Sequence, residues 1–243
     1  MRAYLSVIAA SLATLTSLTV IAADDISGVA LGSSLAVAKD GISKANPNFK
    51  LTPLMLLSGK EGGVTAVTAD RIPEAGVGSA TRPSDEFAVL QTESDKAWFV
   101  ARVQRMQPGA RIKNETLLAS LTEKFGKPSF PTPLRHGYIW EFDRNAKQYF
   151  GPASGSPCKD MALGRYNLPS VSVSAPQSFS PTCGKWILVD TSQELDGMVS
   201  HYSVSLIDVK TMFDELAAHK SQAETERAKK LSEEQAKEVK PNL

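Results

Sequence analysis

Twice along this chain an amphipathic helical pattern meets a helix stop and is followed by segments with the two-residue period of β-strands. That order confines the chain to the α+β class. The first pattern follows Ile26 to Gly32. Ser33 or Ser34 is placed to cap it, Leu35, Ala38, Ile42 and Ala45 recur on one face, and Asn46-Pro47 stops it. The second takes Asn114 as its expected N-cap, with Glu115 in the first turn, where the helix dipole favours negative charge. Leu117, Leu118, Leu121 and Phe125 make its apolar face, and Gly126 with Pro128 ends it.

Strand patterns fill the intervals. Residues 49–57 and 64–69 flank the turn Ser58-Gly59-Lys60-Glu61-Gly62-Gly63. Residues 87–91 and 98–105 form a second pair. In it Phe99, Ala101 and Val103 alternate with Arg102 and Gln104, as in a half-buried strand. After the second helix, 137–143 and 147–150 are joined by Asp143-Arg144-Asn145-Ala146, where Asn145 suits a positive φ. Residues 186–191 and 201–208 connect through Asp196-Gly197. The expected fold is two amphipathic helices on antiparallel sheet, followed by a charged helix over 210–239. In that last segment Met212, Phe213 and Leu216 can dock, and alternating Glu and Lys or Arg favour a solvated face or a partner-binding arm.

The N-terminus reads as a cleavable secretory signal. Met1-Arg2-Ala3-Tyr4 carries one positive charge, Leu5 to Ile21 is apolar, and Ala22-Ala23 precede Asp24-Asp25. Six Ser and Thr residues dilute the apolar run below the roughly 20 sustained apolar residues of a membrane span. No cysteine follows it for a lipid anchor. The expectation is a soluble periplasmic or secreted protein divided into a leader (1–22), an α+β half (23–107), a second α+β half (108–209) and a tail (210–243). With 27 basic against 26 acidic residues the net charge is +1, which gives no field for nucleic acid or an anionic membrane.

Cys158 and Cys183 are the only cysteines. In an exported chain an even count reads as a disulfide. Closing a loop of about 25 residues contributes on the order of 3 kcal/mol. Pro169, Pro176, Pro181 and five serines between the cysteines, with Pro157 just before them, suggest a long irregular connection in need of that brace. A nucleophilic Cys183 served by His136 or His201 would need a reduced thiol, which export disfavours.

Catalytic patterns are thin. His136, His201 and His219 are scattered, without metal-ligand spacing, so neither a metal nor a cofactor is implied. Gly151 to Ser156 has the wrong spacing for a nucleophile elbow, leaving Ser154 as a poor candidate serine. Glu141 and Asp143 share one strand face, opposite Tyr138, Trp140 and Phe142. The expectation is that the aromatics pack inward and the acids face water, with the stripe a candidate binding surface for a sugar or a protein if exposed.

Gly28 to Ala38, with its Leu31-Gly32-Ser33-Ser34 turn into a helix, and Leu117 to Pro128, with Lys124-Phe125-Gly126-Lys127-Pro128, resemble outer-membrane assembly lipoproteins of the SmpA/OmlA type. There a turn leads into a helix and then antiparallel strands. The resemblance covers about thirty residues and implies a non-enzymatic envelope protein with another envelope or secreted protein as partner. This chain lacks the family's lipid-anchor cysteine and is longer, and no family site residues carry over. The function expected is an exported binding or accessory protein. A secreted hydrolase built from distant residues such as Ser154, His201 and Glu141, or an inhibitor or immunity-type protein using the loop between the cysteines, are the alternatives.

Overall fold

The computed structural model describes residues 24–73, 80–131 and 136–237; the expected leader over 1–22 and Val239 lie outside them. The described chain opens with a ribbon, β1 (Asp25–Ile26) and β2 (Val29–Ala30), turned by Ser27 and Gly28. Ser34 then caps α1 (Leu35–Ala45), its Oγ accepting from the Val37 N–H at 3.4 Å, and Leu35, Ala38 and Ile42 are buried as their spacing requires. Asn46 is extended (φ −156°, ψ 111°) because Pro47 disfavours the helical region for the residue before it.

Strands β3 (Lys50–Met55) and β4 (Glu61–Val67) follow as a hairpin. A small ribbon, β5 (Arg71–Pro73) with β6 (Thr81–Pro83), comes before the second hairpin, β7 (Asp85–Gln91) and β8 (Ala97–Arg105). After β9 (Ile112–Lys113) the chain enters α2 (Asn114–Phe125), which buries Leu117, Leu121 and Phe125 and ends at Gly126, whose φ of 78° only glycine adopts without strain. Asn114 does not cap α2, contrary to expectation. It is the first helical residue, and its Nδ2 donates to the Tyr138 hydroxyl at 2.9 Å, tying helix to sheet.

The second half repeats the plan of the first. Strands β10 (Phe130–Pro131) and β11 (His136–Asp143) precede a ribbon of β12 (Leu163–Leu168) and β13 (Val171–Pro176), and then β14 (Cys183–Gln193) and β15 (Met198–Asp208). Strand order in the main sheet is β10-β11-β14-β15-β8-β7-β4-β3, with β9 beside β15. Reading outward from the central β15–β8 pair, each half gives a helix, then four antiparallel strands with a ribbon inserted between the second and third. Both helices lie on one sheet face, where their apolar sides meet Val64, Phe87, Val100, Trp140, Ile187 and Leu206.

The opposite face is also covered, by the β12–β13 hairpin and the start of α3 (Val209–Gln235). Val171, Val173 and Ala175 pack there against Ala88, Phe99, Ala101, Trp186 and Ile207. Two expectations change here. The segment between the cysteines is a hairpin rather than irregular chain, because alternate residues of β13 are apolar and the sheet offers them a surface. For the same reason β8 is buried on both sides over Ala97 to Ala101 rather than half-buried. Two smaller corrections concern the turn after β11. Residues 147–150 form no strand, only a single bridge from Gln148 to Phe142, and the positive φ falls on Ala146 (61°) instead of Asn145.

The disulfide joins Cys158 to Cys183 with Cα atoms 4.8 Å apart, both residues buried. It fixes the root of the hairpin to the first residue of β14. The tip is fixed separately, since Thr65 Oγ1 on β4 donates to the Pro169 carbonyl at 3.1 Å. Helix α3 is capped by Asp208, which accepts from the Thr211 N–H at 2.9 Å, and Met212 packs on the sheet. Leu216 was expected to dock but is exposed, and the described residues beyond His219 are exposed as well. No helix among the described residues is long and apolar enough to cross a membrane.

Replacing both cysteines by alanine should lower the unfolding free energy by about 3 kcal/mol, seen as an earlier midpoint in a urea titration. Ser170 closes the β12–β13 turn at φ 64°, a conformation that disfavours any side chain with a Cβ. Ser170→Gly should therefore raise the melting temperature by about 1–3 °C, the strain relieved exceeding the added chain entropy; calorimetry checks this.

Candidate functional site

The aromatic stripe of β11 is core. Trp140 is fully buried and Phe142 nearly so, while Tyr138 is half-buried beneath α2. The indole of Trp140 packs 5.8 Å from the Phe125 ring and 6.4 Å from that of Tyr138, and its Nε1 donates to the Gly126 carbonyl at the end of α2 (2.8 Å). The polar tips of Tyr138 and Trp140 are both bonded to the helix above them. Trp140 and Phe142 offer no open stacking face.

The acids on the other side of β11 do not face water together. Glu141 is 3% exposed, under the chain that leads to the disulfide. Ser156 Oγ donates to its carboxylate and accepts the Cys158 N–H at 2.9 Å. Burial pushes the Glu141 carboxyl above its ordinary value, and the Ser156 hydrogen bond offsets only part of that. Asp143 instead holds the following turn, its Oδ1 accepting from the N–H groups of Asn145 (2.8 Å) and Lys147 (3.0 Å). One acid braces the disulfide strap and the other caps a turn, so they are not a catalytic pair.

The remaining candidates are dispersed. Ser154 sits in an exposed 3-10 turn (Ala153–Gly155). Glu141 lies level with Trp186 and Ile207, and His201 is six residues before Ile207 on β15, which is roughly 20 Å along the strand. His219 is on α3, its Nε2 3.5 Å from a Glu93 carboxylate oxygen. His136 starts β11, opposite Thr191. Among the described residues no group of three His, Cys, Asp or Glu side chains could hold a metal.

The sheet face under the hairpin does present concave surface, on either side of the β5–β6 ribbon. One cleft, of about 330 Å³, has Ile72, Met106, Arg105, Arg111 and His201 in its walls. Its charges are largely matched. Arg105 donates to the buried Glu86 (2.8 Å) and to the Pro83 carbonyl (3.0 Å), and Arg111 pairs with Asp196 (2.7 Å). Burial raises the Glu86 carboxyl, and the guanidinium groups of Arg105, Arg82 and Arg71 pull against that rise.

The second cleft, of about 360 Å³, separates the ribbon from the tip of the disulfide-anchored hairpin. Arg71 and Arg82 stand on one side, Asn167, Leu168, Ser170 and Ser172 on the other, and no carboxylate is among its lining residues. Arg71 is held by its own ribbon, its Nε donating to Thr81 Oγ1 (3.0 Å) and its Nη2 to the Thr81 carbonyl (2.7 Å). These bonds fix the Arg71 guanidinium on the wall that faces the polar hairpin tip. Sequence reasoning missed this site because its two walls are some ninety residues apart and meet only when the hairpin crosses the sheet. The signal that could have found it was the alternation of Val171, Val173 and Ala175. No protein-family model matches the chain, and no curated protein or solved structure is significantly similar to it.

A carboxyl raised by burial favours the folded state below its unfolded pKa and loses that advantage as pH rises through the folded value. Glu141→Gln keeps an acceptor for Ser156 and removes the titration. The variant should melt above the wild type at pH 8, with the gap closing toward pH 4; melting curves across that range check the sign.

Proposed function

We propose that this is an exported binding or accessory protein, periplasmic or secreted, that acts through protein–protein contact. Its contact surface is the disulfide-anchored hairpin with the arginine-lined cleft beside it. The observation that carries this reading is that cleft, walled by Arg71 and Arg82 on one side and the polar hairpin tip on the other, between two inserted ribbons. The leader sequence and the cysteine pair support export, since a disulfide persists in an oxidising compartment. The SmpA/OmlA-type resemblance of Gly28 to Ala38 and Leu117 to Pro128 is the support for an envelope role.

An inhibitor or immunity-type role is the second reading, favoured by the same hairpin. A surface held at its root by Cys158–Cys183 and at its tip by Thr65 loses little freedom on binding. This reading requires one tight, stoichiometric enzyme partner. A hydrolase built from Ser154, His201 and Glu141 has little support from their separation.

The test is site-specific photocrosslinking in the native envelope. A crosslinker at Ser172 should capture a protein partner, and one at Glu115 on the exposed side of α2 should not. Charge reversal at Arg71 and Arg82 together should reduce the Ser172 adduct by at least about tenfold, the effect of losing two or three charge contacts. An adduct that survives the reversal would remove the cleft from the function.

A further inference from the structure

The backbone of the hairpin carries the contact surface one step further. Leu168 pairs with Val171 across a two-residue turn, so these two exchange backbone hydrogen bonds and alternate pairs do the same. Two observations confirm the phase. Pro176, which has no N–H, lies opposite Leu163, and the Gln177 N–H donates to the Ala162 carbonyl at 2.8 Å. Gly164, Tyr166 and Leu168 therefore bond to β13, and Leu163, Arg165 and Asn167 turn their N–H and C=O groups outward. Among the described residues β12 pairs with no strand other than β13.

Prolines stand on both margins of the main sheet, Pro53 on β3 and Pro131 on β10. Such prolines disfavour further strand pairing. The outer edge of β13 closes at Pro176, whereas β12 contains no proline. Leu163 (41%) and Tyr166 (36%) add exposed apolar surface along it.

We propose that β12 accepts an extended, acidic segment of a partner protein as an added strand, bound by the outward backbone groups of Leu163, Arg165 and Asn167. This rests on the protein–protein reading above and names the partner's chemistry. Arg165 donates from Nε to Ser172 Oγ (2.8 Å) and forms no ion pair among the described residues. A segment with carboxylates on alternate residues sets one against Arg165. Its continuation past Asn167 runs to the cleft walled by Arg71 and Arg82. A second copy of this chain fits poorly. The two-fold pairing that uses all three outward residues places Arg165 opposite Arg165, and like charges directly opposed are destabilising.

The test uses the whole mature protein and two fluorescent peptides, Thr-Val-Glu-Val-Glu-Val-Thr and its counterpart with lysine for glutamate. Fluorescence anisotropy should show saturable binding of the acidic peptide, with the lysine peptide weaker by at least about tenfold. Asn167→Pro removes an outward donor and none of the internal ladder, losing inside the hairpin only the exposed Ser172 Oγ bond to Asn167 Oδ1, so it should abolish binding while the melting temperature stays close to that of the wild type and the disulfide intact. Arg165→Glu, which leaves the backbone alone, should reverse the preference between the peptides. The proposal is overturned if neither peptide binds, if both bind equally, or if Asn167→Pro binds like the wild type. A concentration-dependent dimer abolished by Asn167→Pro would make a second copy the occupant and overturn it too. Failure here with the Ser172 crosslink intact removes strand addition alone; loss of that crosslink from the wild-type protein removes the protein–protein reading with it.

Discussion

The antiparallel pairing of β8 with β15, from Arg105 opposite His201 to Phe99 opposite Ile207, is the joint on which the rest of this structure depends. Each half brings its own helix and its own four strands, and neither meander could bury both its faces alone. Joined at this seam they become one sheet, wide enough to carry both α1 and α2 on one face, with the β1–β2 ribbon against the seam strands. The Tyr202 hydroxyl on β15 donates across the seam to Gln104 on β8. Beside the seam, Arg102 on β8 grips Asp85 of β7 through Nε and Nη2 (3.0 and 2.6 Å). Such a matched, largely buried pair leaves neither charge unsatisfied, which matters more than its net contribution to stability.

The second face shows how the disulfide earns its place in the fold. A sheet this apolar on both sides needs a second cover, and the chain supplies one from the connection between β11 and β14. The hairpin leaves the sheet in the second half and comes down on β4 and β7 in the first. The covalent bond at its root and the Thr65–Pro169 hydrogen bond at its tip fix both ends of that crossing. Glu141 is drawn into the same strap through Ser156, at the cost of a buried carboxyl whose charge the site disfavours. The cover is incomplete near β5–β6, and the clefts lie there. The hairpin that seals the core therefore also forms one wall of the cleft proposed as the contact surface.

Much of the local structure was legible in the residues themselves. Ser34, Leu35, Ala38, Ile42 and Asn46-Pro47 determine α1 from start to stop, and Leu117, Leu121, Phe125 and Gly126 determine most of α2. The hairpins β3–β4, β7–β8 and β14–β15 follow from period-two patterns around turn residues, and the cysteine pairing from their number. These are contacts between near neighbours, encoded in spacing. What spacing does not encode is which side of a strand will find a cover. Glu141 reads as solvent-facing because it alternates with Tyr138, Trp140 and Phe142, and it is buried only because a segment ending in Cys158 lies over it. Asn114 reads as a cap, and the Tyr138 hydroxyl, brought near by packing, takes its amide instead. The chain by itself determined the helices, the hairpins and the disulfide, since each depends on residues close in sequence or on a single possible partner. Only the tertiary structure decided the double burial of the sheet and the union of Arg71 and Arg82 with the hairpin tip, since both arise where β12–β13 crosses strands about a hundred residues away.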